Sequence, residues 1–350
     1  MVKPRPTPPV LGLFGSLLFV ACSSAPATPG ADLILENGQV WTGEQGSPWA
    51  EAVAVRGEHI IAVGSSASVA AEKRPWTQVI DLGGRFMGPG FMDNHTHFNR
   101  AGELLLGVNL LDVSDGEGLT RRVGEAAERL PDGAWMTGGM WGAYEQWALN
   151  STGSGDEADA QAPFNPDRSQ IDGVSPNNPA LLWNWDRSLH LANGAALTAS
   201  GAGCDWQGIE CEGGEPTGRV SAEAASRIRT SIPTKAMEQK LAEARIALAR
   251  LAEHGVTTFF DITPPDQVGV YESLRESGEL TARVNMRLVL DTWDELGDAG
   301  VVNGFGDDWI RFGGLKGFVD GIMGNSSAHF YEPYLTTGVR GSWRDASNTG

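Results

Sequence analysis

At 350 residues the chain is too long for one small core, so a large domain with a smaller companion is expected. Its hydrophobic fraction of 41% and charged fraction of 20% are those of a folded globular protein. The formal net charge of -18 argues against nucleic acid as a partner, because such a surface repels phosphates instead of releasing their counterions.

The chain opens with Lys3 and Arg5, followed by an apolar run from Leu11 to Val20. That run is shorter than the roughly 20 residues a bilayer span requires, and it suits a secretory signal. It closes on Phe19-Val20-Ala21-Cys22, then Ser23, Ser24 and a stretch of Pro, Ala, Thr and Gly. Small residues before a cysteine, with a polar tether after it, resemble a bacterial lipoprotein signal. The resemblance implies a signal peptide over 1–21, lipidation of Cys22 and a tether over 22–31. With Ser23 after the cysteine, it also implies an exported protein held at the outer membrane, facing the periplasm. Phe19 stands where that signal usually carries leucine, and an ordinary signal peptide with an incidental cysteine is the alternative. Export places the other two cysteines, Cys204 and Cys211, in an oxidising compartment, so a disulfide between them is expected.

Residues 32–88 read as short strands with tight turns. Leu33–Leu35 and Gln39–Trp41 flank Asn37-Gly38, a hairpin signal; Ala52–Arg56 and Ile60–Val63 flank Gly57-Glu58; Val79–Leu82 and Arg85–Met87 flank Gly83-Gly84. Runs this short imply a small β-sandwich, since one hairpin cannot bury its own face. From residue 89 apolar strands alternate with helical patterns, which argues for βα units and a parallel sheet. The candidate strands are Ala134–Met140, Ala180–Trp185, Val256–Ile262, Val284–Leu290 and Phe312–Val319, and the clearest helix is Ala236–His254, stopped by Gly255. Residues 150–165, rich in Ser, Gly, Asp and Ala, read as a surface insertion.

Within Phe91-Met-Asp-Asn-His-Thr-His97, side chains of a strand alternate faces, so Asp93, His95 and His97 share one. Two imidazoles at i and i+2 can converge on one cation above the strand's C-terminal end. Imidazole suits Zn, Fe, Ni or Mn, and a catalytic ion keeps a position open for water. An isolated His-x-His pair is a weak signal that chance supplies. Its context strengthens it.

Residues 32–97 resemble the N-terminal region of the amidohydrolase superfamily, through Arg56-Gly-Glu-His-Ile-Ile-Ala-Val-Gly64, Val79-Ile-Asp-Leu-Gly-Gly-Arg85 and Pro89-Gly-Phe-Met-Asp-Asn-His-Thr-His97. Further segments resemble its family 3, the YtcJ-like group that includes N-substituted formamide deformylases. These are Asp186–His190 with Ala192-Asn193 and Ala196-Leu197, Gly214–Gly218, His254–Thr258 leading to Asp261, and Leu315–Gly321 before Glu332-Pro-Tyr334. The resemblance implies an α/β protein with a (β/α)8 TIM-type barrel over 89–350 and a β-sandwich over 32–88. It implies a divalent metal, with zinc as the expected ion, one or two in number, and a small-molecule amide-type substrate. It also implies further ligands: histidines on the fifth and sixth barrel strands, and an aspartate on the eighth that serves as general base. A closed barrel requires eight βα units. About four strands follow His97 here, so the barrel is expected to be incomplete, with those later residues beyond Gly350.

Lys316 lies in an apolar strand, where an ammonium is costly. A neutral amine reacts with carbon dioxide to give a carbamate that bridges two cations, as family members with binuclear sites do with a fourth-strand lysine. The alternative is a lysine paired to a carboxylate such as Asp320. His190 and Asn193 match a family segment near the substrate pocket, and with Asp320 they are the candidate substrate residues; their plain readings are a capping histidine and a turn asparagine. His254 is read as a helix C-terminal residue, His59 as a turn residue, and Asp261 as a strand-end group or a helix cap. Trp135, Trp141, Trp147, Trp183, Trp185 and Trp206 are dense for one region, through core packing or a ligand pocket. Two rival functions stay open: a glycoside hydrolase barrel using paired carboxylates, and a lipoprotein binding module without metal chemistry.

Overall fold

The structure, a computed structural model, describes residues 30–143, 164–323, 326–335 and 337–343. The signal peptide, Cys22, the tether up to residue 29, nearly all of the 150–165 insertion, Trp147 and the last seven residues lie outside the described residues. The chain divides into two compact units, Met1–Pro89 and Gly90–Gly350.

The first unit holds strands β1 (Leu33–Glu36), β2 (Gln39–Trp41), β3 (Trp49–Ala50), β4 (Ala52–Arg56), β5 (His59–Gly64), β6 (Gln78–Asp81) and β7 (Phe86–Met87). They form a four-stranded sheet in the order β5-β4-β1-β6 and a three-stranded sheet in the order β3-β2-β7. The β4–β5 hairpin turns at Gly57, whose φ of +57° suits a residue without a Cβ, and His59 opens β5 just after it. Asn37-Gly38 does not close the expected hairpin, because β1 and β2 belong to different sheets. Gly83-Gly84 likewise separates β6 from β7. The two crossings run side by side: Asn37 Nδ2 donates to Asp81 Oδ1 at 2.9 Å, and Gly84 N donates to Asn37 O at 2.7 Å. Ile34, Ala52, Ala54 and Val69 are buried together beneath the larger sheet.

The second unit contains two sheets. Strands β8 (Phe91–Thr96), β14 (Val256–Ile262), β15 (Arg283–Val289) and β16 (Ile310–Lys316) form one, in the order β16-β15-β14-β8, with every pairing parallel. Between β8 and β14 the chain builds the other from β9 (Met136–Trp141), β10 (Ala180–Asn184), β11 (His190–Ala192), β12 (Ile209–Glu212) and β13 (Glu215–Val220). Its order is β12-β13-β11-β10-β9, and only β9–β10 is parallel. The candidate strands Ala134–Met140 and Ala180–Trp185 therefore do not join the strand that carries the histidine pair. A short apolar run reports burial, not the sheet it enters.

The helix expected at Ala236–His254 spans Met237–Glu253, with Ala236 and His254 as its caps. His254 Nδ1 lies 2.9 Å from Arg250 O, and Gly255 follows at φ +69°. Its apolar face packs Ala244, Ala247 and Leu248 into a core with Phe98, Phe259, Tyr271 and Val284. A shorter helix, Phe98–Leu106, lies against it at Gly102, where a Cβ would stand 2.4 Å from Glu243 O. Gly102→Ala should therefore cost stability, about 1–3 kcal/mol by overpacking, read from the midpoint of chemical denaturation; an unchanged midpoint would contradict this contact.

Candidate metal centre

Parallel strands bring their C-terminal ends to one edge of a sheet, and the candidate groups gather there. His95 lies in the last turn of pleat of β8, His97 follows that strand directly, and Lys316 ends β16. The two imidazole rings are 5.8 Å apart between centroids and tilted by 44°. His95 is exposed and His97 is half-buried. Burial lowers the His97 pKa to about 4, with Arg100, His95, Lys316 and Arg187 adding to the effect through their positive charge. The ring is therefore neutral near pH 7, which is the form that donates a lone pair to a cation.

The peptide around the pair is held from the neighbouring strands. Asp93 Oδ1 accepts the His95 N–H at 3.0 Å, and Thr96 Oγ1 donates to Phe260 O at 3.1 Å. Arg287, from β15, donates to Asn94 O at 2.8 Å while its guanidinium sits 5.0 Å from the centre of the Phe260 ring. Asp261 is fully buried. Its Oδ1 accepts the Phe98 N–H at 2.8 Å, and its Oδ2 accepts the Thr263 and Tyr271 hydroxyls, each at 2.8 Å. Of the two readings of Asp261, the structure selects a cap, but of the helix after His97, not of the one after β14. His97 occupies the N-cap position of that helix and supplies no side-chain cap of its own. Burial pushes the Asp261 carboxyl up, against the hydrogen bonds from Phe98, Thr263 and Tyr271, and it pushes the Tyr271 phenol well above its ordinary range.

Lys316 is half-buried, with its Nζ 4.9 Å from the centre of the Phe318 ring. Asp320, expected near substrate or paired to Lys316, accepts the His329 N–H at 2.9 Å. His329 lies beside Trp343, with centroids 4.8 Å apart and ring planes tilted by 43°. Among the described residues, no three His, Cys, Asp or Glu side chains are grouped to hold a metal ion. The 5.8 Å separation of the two rings and the neutral His97 are compatible with two ligands of one cation.

The remaining candidates stand elsewhere. Asn193, expected as a substrate residue, has its side-chain oxygen and nitrogen engaged within the fold. Its Oδ1 accepts from Ala180 N and Ala196 N, capping the helix Gly194–Ser200, while its Nδ2 donates to Ser175 and to Asn178 O. His190 is a buried residue of β11, paired across the sheet with Trp183 and Val220. Burial, then Arg229 and Arg187, lower its pKa to about 4, and its Nδ1 has no hydrogen-bond partner among the described residues. Cys204 and Cys211 form a disulfide. Among the tryptophans, Trp141 is in the core, and Trp135 and Trp206 pack against another.

A cavity of about 530 Å³ opens where the helix Phe98–Leu106 faces the five-stranded sheet. Arg100, Glu103, Trp183, Arg187, Arg229 and Lys235 are among its walls. Reading the sequence alone passes over Arg100, Arg229 and Arg287. Arg100 had a usable signal, being three residues beyond His97 at the start of a helix, whereas Arg229 and Arg287 are brought in from distant segments.

The family model described as amidohydrolase family matches residues 78–348. Protein LONG AFTER FAR-RED 3 of Arabidopsis thaliana is 30% identical over 334 residues, covering 89% of this chain and 54% of its own. The N-substituted formamide deformylase of Arthrobacter pascens is 30% identical over 211 residues, covering 57% of this chain and 36% of its own. A metal-dependent hydrolase from Pyrococcus horikoshii, uncharacterized by its description, shares the fold with a TM-score of 0.66 at 18% identity, covering 89% of this chain and 60% of that one. The chain spans about half the length of the curated relatives it matches, or less.

If Asp261 holds the start of the helix after His97, Asp261→Ala should destabilise the protein by on the order of 3 kcal/mol, since three donors lose one buried acceptor. Tyr271→Phe, which removes one hydroxyl, should cost about 1 kcal/mol. Thermal unfolding of both variants checks this, and equal losses would contradict a shared acceptor.

Proposed function

Because the chain belongs to the amidohydrolase family, we propose that it is part of a metal-dependent hydrolase that cleaves an amide-type C–N bond. The observation that carries this reading is the placement of His95 and a neutral His97 at the C-terminal end of a parallel sheet. In this reading the four parallel strands are half of a (β/α)8 barrel, and the two small sheets of the first unit pack as a sandwich. The name of the Arthrobacter pascens relative supports N-substituted amides as the substrate class.

His95 and His97 would hold a divalent cation, zinc as the first expectation, through one nitrogen each. A cation bound there supplies electrostatic activation of water and of an amide carbonyl. The protein's own contribution is positional. Asp261 fixes the peptide after His97, Arg287 fixes the carbonyl before His95, and burial keeps the His97 ring free of a competing proton. Lys316, at the same sheet edge, would bridge a second cation as a carbamate, its amine nitrogen having bonded to carbon dioxide with loss of one proton. Removing either histidine leaves an incomplete site, so His95→Asn and His97→Asn in the full-length protein should lose bound metal and chelator-sensitive amide hydrolysis together. Lys316→Ala should lower the metal-to-protein ratio. Elemental analysis reads all three, and unchanged stoichiometry in the histidine variants would overturn the assignment; unchanged stoichiometry in Lys316→Ala would overturn the bridge alone.

The apolar run before Cys22 and the polar tether after it support an exported protein anchored by lipid at Cys22, at the outer membrane facing the periplasm. Cys22→Ala should then move the protein from the membrane fraction to the soluble fraction, and retention in the membrane fraction would exclude the lipid at that residue.

A further inference from the structure

The cavity beside the helix Phe98–Leu106 carries an unusual charge for this chain. Overall the protein has a formal charge of -18, yet four cations, Arg100, Arg187, Arg229 and Lys235, line this cavity with one carboxylate, Glu103. Lys235 and Glu103 neutralise one another at 3.4 Å, and Lys235 also bonds the buried Glu243 at 2.9 Å. With Lys235 shared between two carboxylates, the guanidinium groups give the cavity its net positive charge. Two of them, Arg187 and Arg229, each lie 5.6 Å from the centre of the Trp183 ring. A tryptophan face attracts a guanidinium through the ring quadrupole and keeps it beside the ring.

The cavity also adjoins the proposed metal centre. Arg100 belongs to the first turn of the helix that begins directly after His97. Glu103, one helical turn beyond Arg100, accepts a hydrogen bond from Thr137 of the five-stranded sheet, which ties the helix to the opposite wall. The volume, about 530 Å³, is of the size that small-molecule sites occupy.

We propose that this cavity is an anion subsite, in which Arg100 and Arg229 hold the carboxylate of an amide substrate whose scissile bond lies at His95 and His97. This inference rests on the hydrolase reading above, and it narrows the substrate class to amides that also carry a carboxylate. The planar N–H fork of arginine matches a carboxylate in two places, and a cationic cleft in an acidic protein concentrates anions at the site where they react. Trp183, beside the Arg229 guanidinium, offers a flat apolar wall for the part of the substrate that joins the carboxylate to the amide.

The test is a calorimetric titration of the full-length protein with phenylacetate and with phenylacetamide, its neutral isostere, before and after the metal has been stripped by chelator. Phenylacetate should bind about tenfold tighter than phenylacetamide, as one well-placed charge interaction would give. Its binding should persist after metal removal, weaken with added salt, and fall about tenfold in both Arg100→Met and Arg229→Met. Arg250→Met, on a helix surface pair with Glu253, serves as the control and should leave it unchanged. Equal binding of the two isosteres, indifference to the two cavity substitutions, or tighter binding of inorganic phosphate would each overturn the subsite. Loss of phenylacetate binding with the metal would overturn it too, by showing the carboxylate to be a metal ligand. Failure of the hydrolase reading shows separately, as a purified protein without metal or as hydrolysis that chelators leave untouched.

Discussion

A buried carboxylate organises the end of the parallel sheet. Asp261 projects from the second strand of that sheet and accepts the first free N–H of the helix that follows the first strand. A carboxylate taken out of water is costly unless its oxygens are fully bonded, and here one backbone N–H and two hydroxyls bond it. The aromatic rings around it close the site to solvent: Phe98 stacks on Phe259 at 4.7 Å, and both lie against Tyr271. The chain direction after His97 is therefore set by a residue 164 positions away from His97 in the sequence.

The rest of the edge follows from strand polarity. Parallel strands collect their C-terminal ends, so His95, Asp261 and Lys316 arrive together from three segments that are far apart in the chain. Arg287 adds a transverse tie, reaching from the third strand to the Asn94 carbonyl of the first. The same geometry concentrates positive charge near His97, which together with burial keeps the imidazole neutral. Charge repulsion of this kind disfavours a proton on the ring but not its lone pair, the property a ligand needs.

The long excursion between the first and second strands of that sheet is a folded element in its own right. Its mixed sheet is filled by Leu181, Leu182, Leu191 and Ala192, all fully buried. Asn193 fastens it internally by bonding the backbone groups of Ala180, Asn178 and Ala196. The excursion brings Trp183, Arg187 and Arg229 opposite the helix that starts at His97. A cationic cavity arises there in a chain whose overall charge is negative.

Local chemistry was legible in the sequence. The alternation of a strand places His95 and Asp93 on one face, the apolar period of Met237–Glu253 and the glycine after it define a helix, and two cysteines seven apart make a loop disulfide once an oxidising compartment is expected. Gly57-Glu58 specifies its hairpin, because its left-handed residue and flanking apolar runs are local properties. Asn37-Gly38 carries the same local signal, but only the sheet that each flanking strand enters decides that it turns a corner between sheets. Likewise the apolar runs at β9 and β10 specify burial, whereas their partners depend on segments that close around them. Which groups meet at the end of the parallel sheet, and that Asp261 caps a helix far from it in the chain, are tertiary facts: hydrogen bonds between distant segments have no period or spacing for a sequence to display.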